Sequence, residues 1–172
     1  ILMGLPNRKD DTVMQALVEA VETTGAKVVD QTALIRPLMP LAGTLTKREP
    51  SAEEKQDMEF GFRMAKEIGR LDVGQTVVVK NLAVMALEAI EGTDACIRRG
   101  GQLARGGAVV AKVAKPEQDN RFDVPAVGCK TIETMVEAGA KALVIEAGQT
   151  LLVEKDQVLQ LADDNGITIV AM

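Results

Sequence analysis

The stretch Lys141-Ala-Leu-Val-Ile145 is a continuous apolar run of the length that forms a buried strand. A helical pattern follows it over residues 155–164, and Gly166 marks the end of that helix. A second apolar run, Ile167-Thr-Ile-Val-Ala171, comes next and predicts another strand. Strands that alternate with helices are typical of α/β domains whose sheet is at least partly parallel.

Upstream of this stretch, further strands are predicted. Gly107-Ala-Val-Val-Ala111 and Gln75-Thr-Val-Val-Val79 are both apolar runs. Residues 82–90 are ambiguous, because their Ala, Met, Leu and Glu residues favour a helix by propensity. We favour a strand there, since a turn at Lys80 and Asn81 would pair it with residues 75–79. Shorter strand-like runs occur at residues 26–29 and 150–153.

Helical patterns lie between these runs. Ser51 and Glu54 have the spacing of a capping box, which predicts a helix from residue 51 to Gly69. A second helix is predicted from Thr93 or Asp94, as its cap, to about residue 103, and a third over residues 131–138. Together these patterns predict an α/β fold with a mixed, partly parallel sheet flanked by helices.

The N-terminal region is expected to belong to a different unit. Residues 38–50 contain prolines, a glycine and two threonines and are typical of a linker. We therefore expect residues 1–43 to be the tail and linker of a truncated N-terminal α/β domain, and residues 44–172 to be a C-terminal domain of catalytic type. The chain begins Ile1-Leu-Met-Gly4, which is typical of a segment of a longer protein.

The composition excludes several classes of function. The 172 residues carry a net charge of −5 and only three aromatic residues, all Phe, which argues against base-stacking surfaces for nucleic acid. The chain has no His, which excludes a Ser-His-Asp triad and a His general base. Its two Cys, Cys96 and Cys129, are far apart in sequence and are typical of buried filler in a reducing compartment.

The segment Lys112-Val-Ala-Lys-Pro-Glu-Gln-Asp-Asn-Arg-Phe-Asp-Val-Pro125, here called the charged loop, follows one of the predicted strands. Lys and Arg neutralise phosphate oxygens, and Asp oxygens bind Mg²⁺, so the loop suits a phosphorylated ligand. Asp119, Arg121 and Asp123 would share a face if the segment were extended. The alternative is a solvated surface loop with weak ion pairs.

Other acidic side chains could join such a site. Glu88, Glu91 and Asp94 form one group, and Glu146 is a further candidate. The helix that begins after Gly92 could bind an anion at its N-terminus. The alternatives are a plain capped helix start and carboxylates that are caps or solvated side chains.

The charged loop resembles the hallmark loop of the LpxI-type UDP-2,3-diacylglucosamine pyrophosphatases. Residues 71–79, 88–94 and 146–148 are similar to further motifs of that family and occur in the same order. The resemblance extends from about Asp30 to the C-terminus. The chain departs from the family pattern at Leu82 and Glu117, where the family often has glycine.

This resemblance implies a Mg²⁺-dependent hydrolase that splits UDP-2,3-diacylglucosamine into UMP and 2,3-diacylglucosamine 1-phosphate, a lipid A precursor. It also implies a cytoplasmic homodimer at the inner-membrane face, with the ligand between two domains. A rival expectation is a non-catalytic ligand-binding or dimerisation module. By resemblance, the residues that direct water or hold metal are Asp119 and Asp123, with Glu91 and Asp94 as further metal partners, and those that bind phosphate are Lys112, Lys115, Gln118, Arg121 and Thr93.

Overall fold

A six-stranded sheet forms the centre of the computed structural model, which describes residues 10–172. Residues 1–9, on which the prediction about the chain's start rests, lie outside the described residues. A second, two-stranded sheet pairs β5 with β7. The strands are β1 (Gly43–Thr44), β2 (Thr76–Lys80), β3 (Ala83–Leu87), β4 (Val109–Lys112), β5 (Ala126–Val127), β6 (Ala142–Ile145), β7 (Leu151–Leu152) and β8 (Thr168–Ala171).

The main sheet is mixed, in the order β1-β8-β6-β4-β2-β3. Its middle pairs, β4 with β6 and β6 with β8, are parallel, whereas β2 pairs antiparallel with both β3 and β4, and β1 pairs antiparallel with β8. Every residue of β4 and β6 is buried. Strands covered on both faces are apolar throughout, which is why these two runs were recognisable in the sequence.

Within residues 10–172 six helices flank the sheet, which confirms the predicted fold class. One face of the sheet is covered by α3, whose Met58, Ala65 and Ile68 pack on Val77 and Val79 of β2. The opposite face is covered by α4, α5 and α6, whose apolar residues pack around Val78, Val110 and Leu143. The helices are α1 (Asp10–Glu22), α2 (Thr32–Ile35), α3 (Ala52–Arg70), α4 (Thr93–Ala104), α5 (Cys129–Glu137) and α6 (Lys155–Asp164), with a 3₁₀ turn at Arg36–Leu38.

The predicted capping box at the start of α3 is confirmed. The Glu54 amide donates to the Ser51 hydroxyl at 3.2 Å, and the Ser51 amide donates to the Glu54 carboxylate at 2.8 Å. Two backbone amides that the helix leaves unpaired are thus satisfied by local side chains.

Two local predictions were wrong. Residues 26–29 form no strand, because a strand needs a neighbour and no described segment pairs with this one. The cap of α4 is Gly92, with φ of 81°, rather than Thr93 or Asp94. The Thr93 hydroxyl instead donates to the Glu88 carboxylate at 3.0 Å, and this contact depends on the tertiary fold.

Residues 82–90 contain a strand, β3, as the hairpin prediction favoured. The turn between β2 and β3 places Asn81 and Leu82 at φ of 54° and 59°, in the left-handed region. Leucine is strained there, because its Cβ crowds the following carbonyl. The buried Asp57 carboxylate of α3 accepts from both amides, at 2.8 Å from Asn81 and 2.6 Å from Leu82, and stabilises the turn.

Helix α4 approaches its neighbours closely through two glycines. A Cβ added at Gly100 would lie 2.5 Å from Cβ of Val78, and one added at Gly101 would lie 2.4 Å from the carbonyl oxygen of Ala138. These two glycines therefore allow α4 to pack directly against β2 and the end of α5.

Among residues 10–172, no helix combines the length and the apolar character needed to cross a lipid bilayer.

Candidate functional site

Lys112 lies at the carboxyl end of β4 and is 8% exposed. Its ammonium group donates to the carbonyl oxygen of Ala126 at 2.9 Å. Burial lowers the pKa of Lys112 below its ordinary value, and the nearby carboxylates of Glu88, Asp94 and Asp123 oppose that shift. The fold thus brings the carboxylates of Glu88, after β3, and Asp94, in α4, within electrostatic reach of a buried cation whose own loop carries Asp123.

Glu88 is held in place from two directions. One carboxylate oxygen accepts from the Gln75 amide at 3.2 Å, and the other accepts from the Thr93 hydroxyl at 3.0 Å. Thr93 also lies 3.3 Å from the hydroxyl of Thr76, which is fully buried. The start of β2 and the start of α4 therefore meet at this carboxylate.

The charged loop is not extended, contrary to the conformation considered from the sequence. The Asp119 carbonyl accepts from the amides of Phe122 and Asp123, at 3.2 and 3.0 Å. The backbone therefore forms a single helical turn from Asp119 to Asp123.

Arg121 is bound tightly to Asp119. Its guanidinium donates to both Asp119 oxygens, at 3.0 Å and 2.6 Å, and the nitrogen that makes the shorter bond also donates to the Gln15 side-chain oxygen at 2.9 Å. The hydrogen bond from Arg121 holds the pKa of the Asp119 carboxyl below its ordinary value. A cavity of about 350 Å³ adjoins this pair and is lined by loop residues 117–121 and by Asp30.

Gln118 connects the two ends of the charged loop. Its side-chain oxygen accepts from the Lys115 amide at 2.8 Å, and its side-chain nitrogen donates to the Asp123 carboxylate. The Lys115 ammonium lies 3.0 Å from an oxygen of Asp72, on the turn after α3. The predicted phosphate ligands Lys115 and Gln118 therefore shape the loop in this structure.

The remaining predicted acidic residues have other partners. Glu91 is ion-paired with Arg99 and accepts a hydrogen bond from the Ala89 amide at 3.0 Å. It is not among the carboxylates that influence the pKa of Lys112. Asp94 faces both Lys112 and Lys130, whose ammonium lies at 3.4 Å.

The donor set suits one mode of magnesium binding. In the part of the chain that the structure describes, no three Asp, Glu or Cys side chains converge as a metal cage. Mg²⁺ is commonly held by one or two carboxylates together with substrate phosphate oxygens, rather than by a complete protein cage. Asp119 and Asp123, on one turn of the charged loop, fit that mode.

Sequence reasoning missed Lys66. Its ammonium donates to the Ala114 carbonyl at 2.9 Å and lies 3.0 Å from both oxygens of Glu146. Lys66 follows Ala65 of the buried stripe on α3, and nothing in the local sequence distinguishes it from a solvated helical lysine. From the sequence, Glu146 was a candidate to join the acidic site. In the structure its carboxylate instead binds the Lys66 ammonium and the Ala114 amide of the charged loop.

The lowered pKa of Lys112 predicts an alkaline loss of activity. The cationic form exists below the pKa, and burial lowers the pKa of Lys112, so a phosphate ligand that depends on this cation would be released at lower pH than one held by an exposed lysine. We expect kcat/KM to fall as pH rises through that pKa. In Lys112→Arg the fall should move to higher pH, because guanidinium keeps its proton. Lys47→Arg, at an exposed position, is the control, and an unmoved alkaline limb in Lys112→Arg would contradict the prediction.

Comparison with known proteins places the chain in a family. The model of the LpxI C-terminal domain matches residues 41–170. The UDP-2,3-diacylglucosamine pyrophosphatase LpxI of Caulobacter vibrioides is 36% identical over 179 residues, which cover 99% of this chain, and the chain spans 64% of that relative. The bifunctional purine biosynthesis protein PurH of Bradyrhizobium diazoefficiens is 29% identical over 131 residues, covering 73% of this chain and 23% of its own.

Among solved structures, RibD of Acinetobacter baumannii matches 70% of this chain and 36% of its own, at 19% identity and a TM-score of 0.40. The match to the domain model and the identity to the Caulobacter protein lead to one conclusion: the chain belongs to the LpxI family, of which it carries the C-terminal domain.

Proposed function

We propose that this chain carries the catalytic part of an enzyme that hydrolyses the pyrophosphate bond of UDP-2,3-diacylglucosamine, in lipid A biosynthesis. The products would be UMP and 2,3-diacylglucosamine 1-phosphate. Family membership supports the substrate, because the Caulobacter relative is named for this activity. The geometric observation that carries the proposal is the charged loop itself, which begins at the buried ammonium of Lys112 at the carboxyl end of β4 and in which Arg121 is held against Asp119 and Gln118 against Asp123.

The residues present suit phosphoryl chemistry without an imidazole. Lys112, Lys115 and Arg121 supply positive charge for a diphosphate, and charge stabilisation is the main requirement of phosphoryl transfer. Asp123 would accept a hydrogen bond from the attacking water and take its proton as the oxygen bonds to phosphorus. The bond between the attacked phosphorus and the bridging oxygen breaks, and the electron pair stays on that oxygen, which leaves as part of the departing phosphate monoester.

Magnesium would be held by Asp119 and Asp123 together with substrate oxygens. When bound, it would neutralise charge on the diphosphate. Asp94, beside Lys112, can add negative charge near that position, whereas Glu91 is engaged by Arg99 and is left out of the proposed set. Thr93 and Gln118 would orient phosphate oxygens only after giving up part of their present hydrogen bonds to Glu88 and Asp123.

The location and the partners belong to the same proposal. The family resemblance supports a cytoplasmic protein that acts at the inner-membrane face, where a diacylated substrate is found, and that forms a homodimer. The membrane contact would be peripheral.

The deciding experiment is UMP release from UDP-2,3-diacylglucosamine, measured with Mg²⁺ and with excess EDTA. We expect release with Mg²⁺, its loss with EDTA and its return when Mg²⁺ is added back. Undiminished release in EDTA would reject the magnesium part of the proposal. Tight substrate binding without any release would favour a non-catalytic binding module.

A further inference from the structure

Glu146 and Lys66 form a partly buried ion pair directly beneath the charged loop. Their side chains are 19% and 30% exposed, and the ammonium nitrogen lies 3.0 Å from each carboxylate oxygen. Glu146 follows β6, and β6 is parallel to β4 with Lys112 opposite Ile145. The pair therefore lies at the carboxyl edge of the parallel strands, where ligands of open α/β sheets bind.

Both members of the pair bind the backbone of one residue, Ala114. The Ala114 amide donates to Glu146 at 2.9 Å, and the Ala114 carbonyl accepts from Lys66 at 2.9 Å. Ala114 is 4% exposed, so neither group has an easy alternative in water. Leaving a buried backbone group without a hydrogen-bond partner is unfavourable, which keeps the segment in this position.

Ala114 is the second residue after β4 and lies near the start of the charged loop. The next amide, that of Lys115, donates to Gln118 at 2.8 Å, and Gln118 in turn donates to Asp123. An unbroken series of contacts thus connects Glu146 with the carboxylate proposed to activate water.

We propose that Glu146 and Lys66 are positioning residues, which fix the departure of the charged loop and thereby place Asp123 for the reaction. This inference rests on the proposed function. It assigns Glu146 a role in orienting the loop rather than in binding metal. The pair would act on turnover through geometry, because a misplacement of about 1 Å at a reacting group can cost about 100-fold in rate.

The opposite end of α3 provides a matched control. Arg48 and Glu54 form a comparable ion pair at 2.8 Å, with side chains 38% and 15% exposed, and Arg48 also donates to the Lys141 carbonyl at 2.7 Å. That pair connects α3 to the amino end of β6, at the edge remote from the charged loop. Its loss should lower stability without moving Asp123.

The test compares Glu146→Ala, Glu146→Gln and Glu54→Ala under conditions in which each is fully folded by circular dichroism. We expect kcat for UMP release to fall about 100-fold in Glu146→Ala with a much smaller change in KM. Glu146→Gln keeps an acceptor for the Ala114 amide and should recover most of the loss. Glu54→Ala should melt at lower temperature and keep kcat within about twofold, since distant sites act independently.

Unchanged kcat in folded Glu146→Ala would overturn the inference, as would an equal loss in Glu54→Ala. Hydrogen exchange at the amides of Ala114 and Lys115 provides a second readout that needs no turnover. It should be faster in Glu146→Ala than in the unmodified chain. If the unmodified chain releases no UMP, the proposed function fails by itself, and equal exchange rates at these amides would then overturn the positioning role.

Discussion

Asp123→Ala is expected to lower kcat for UMP release by about 100- to 10,000-fold, the range over which a general base contributes to catalysis. The side chain lies on the charged loop and contacts Gln118, and its carboxylate acts on buried Lys112. Asp123→Asn keeps the size of the side chain and should be almost as slow, because the missing charge is what activates water. The melting temperature should change little, since Asp123 is outside the apolar core.

Two further variants decide how that result is interpreted. Asp119→Ala removes the carboxylate held by Arg121 and should also reduce turnover by orders of magnitude if both aspartates serve the site. Asp164→Ala removes an exposed carboxylate on α6 that contacts Gln160, and should be neutral. Near-normal rates in both loop variants would reject the assignment of the charged loop to catalysis.

Gly101→Ala is expected to destabilise the fold by about 2–3 kcal/mol, the upper part of the usual range for overpacking a buried contact. On an open helix surface the same change would stabilise by about 1 kcal/mol, because alanine is the better helix former. In α4 the new methyl group would lie 2.4 Å from the Ala138 carbonyl oxygen and 2.6 Å from its Cβ. The sign of the effect therefore reports the close approach of α4 to the end of α5.

Thermal unfolding measures this change directly. For a domain of this size we expect the midpoint to fall by roughly 5–10 °C. Gly128→Ala is the control, because a Cβ there would meet Cβ of Val153 at an ordinary 3.9 Å. A midpoint for Gly101→Ala at or above that of the unmodified chain would show that the two helices are not in such close contact.

The central strands could be predicted because strands that are buried on both faces consist of consecutive apolar residues. Residues 142–145 of the apolar run are buried on both faces of the sheet, and so is β4. Residues 26–29 have a similar local character but no neighbouring strand among the described residues, and pairing is a property of the whole fold. The two-residue strands β1 and β5 are too short to have any periodicity.

The candidate site was predictable only in part. Lys112 and Asp123 are close in sequence and could be grouped by their spacing, whereas Glu88 and Asp94 join them only because β2, β4 and α4 meet at one edge. The pairing of Asp119 with Arg121 depends on a turn that the prolines indicate but do not specify. Lys66 reaches the loop from the middle of a helix, and no local pattern predicts a contact 48 residues along the chain.

Two side-chain anchors on helix α3 limit the sequence changes that the protein can tolerate. Asp57, which binds the β2–β3 turn, and Lys66, which binds Ala114, project from opposite flanks of the buried stripe. They are separated by about two and a half turns of helix. Inserting or deleting one residue between them would rotate one anchor by about 100° relative to the other and release either the turn or the loop. Related proteins should therefore differ in this segment by substitution but conserve its length.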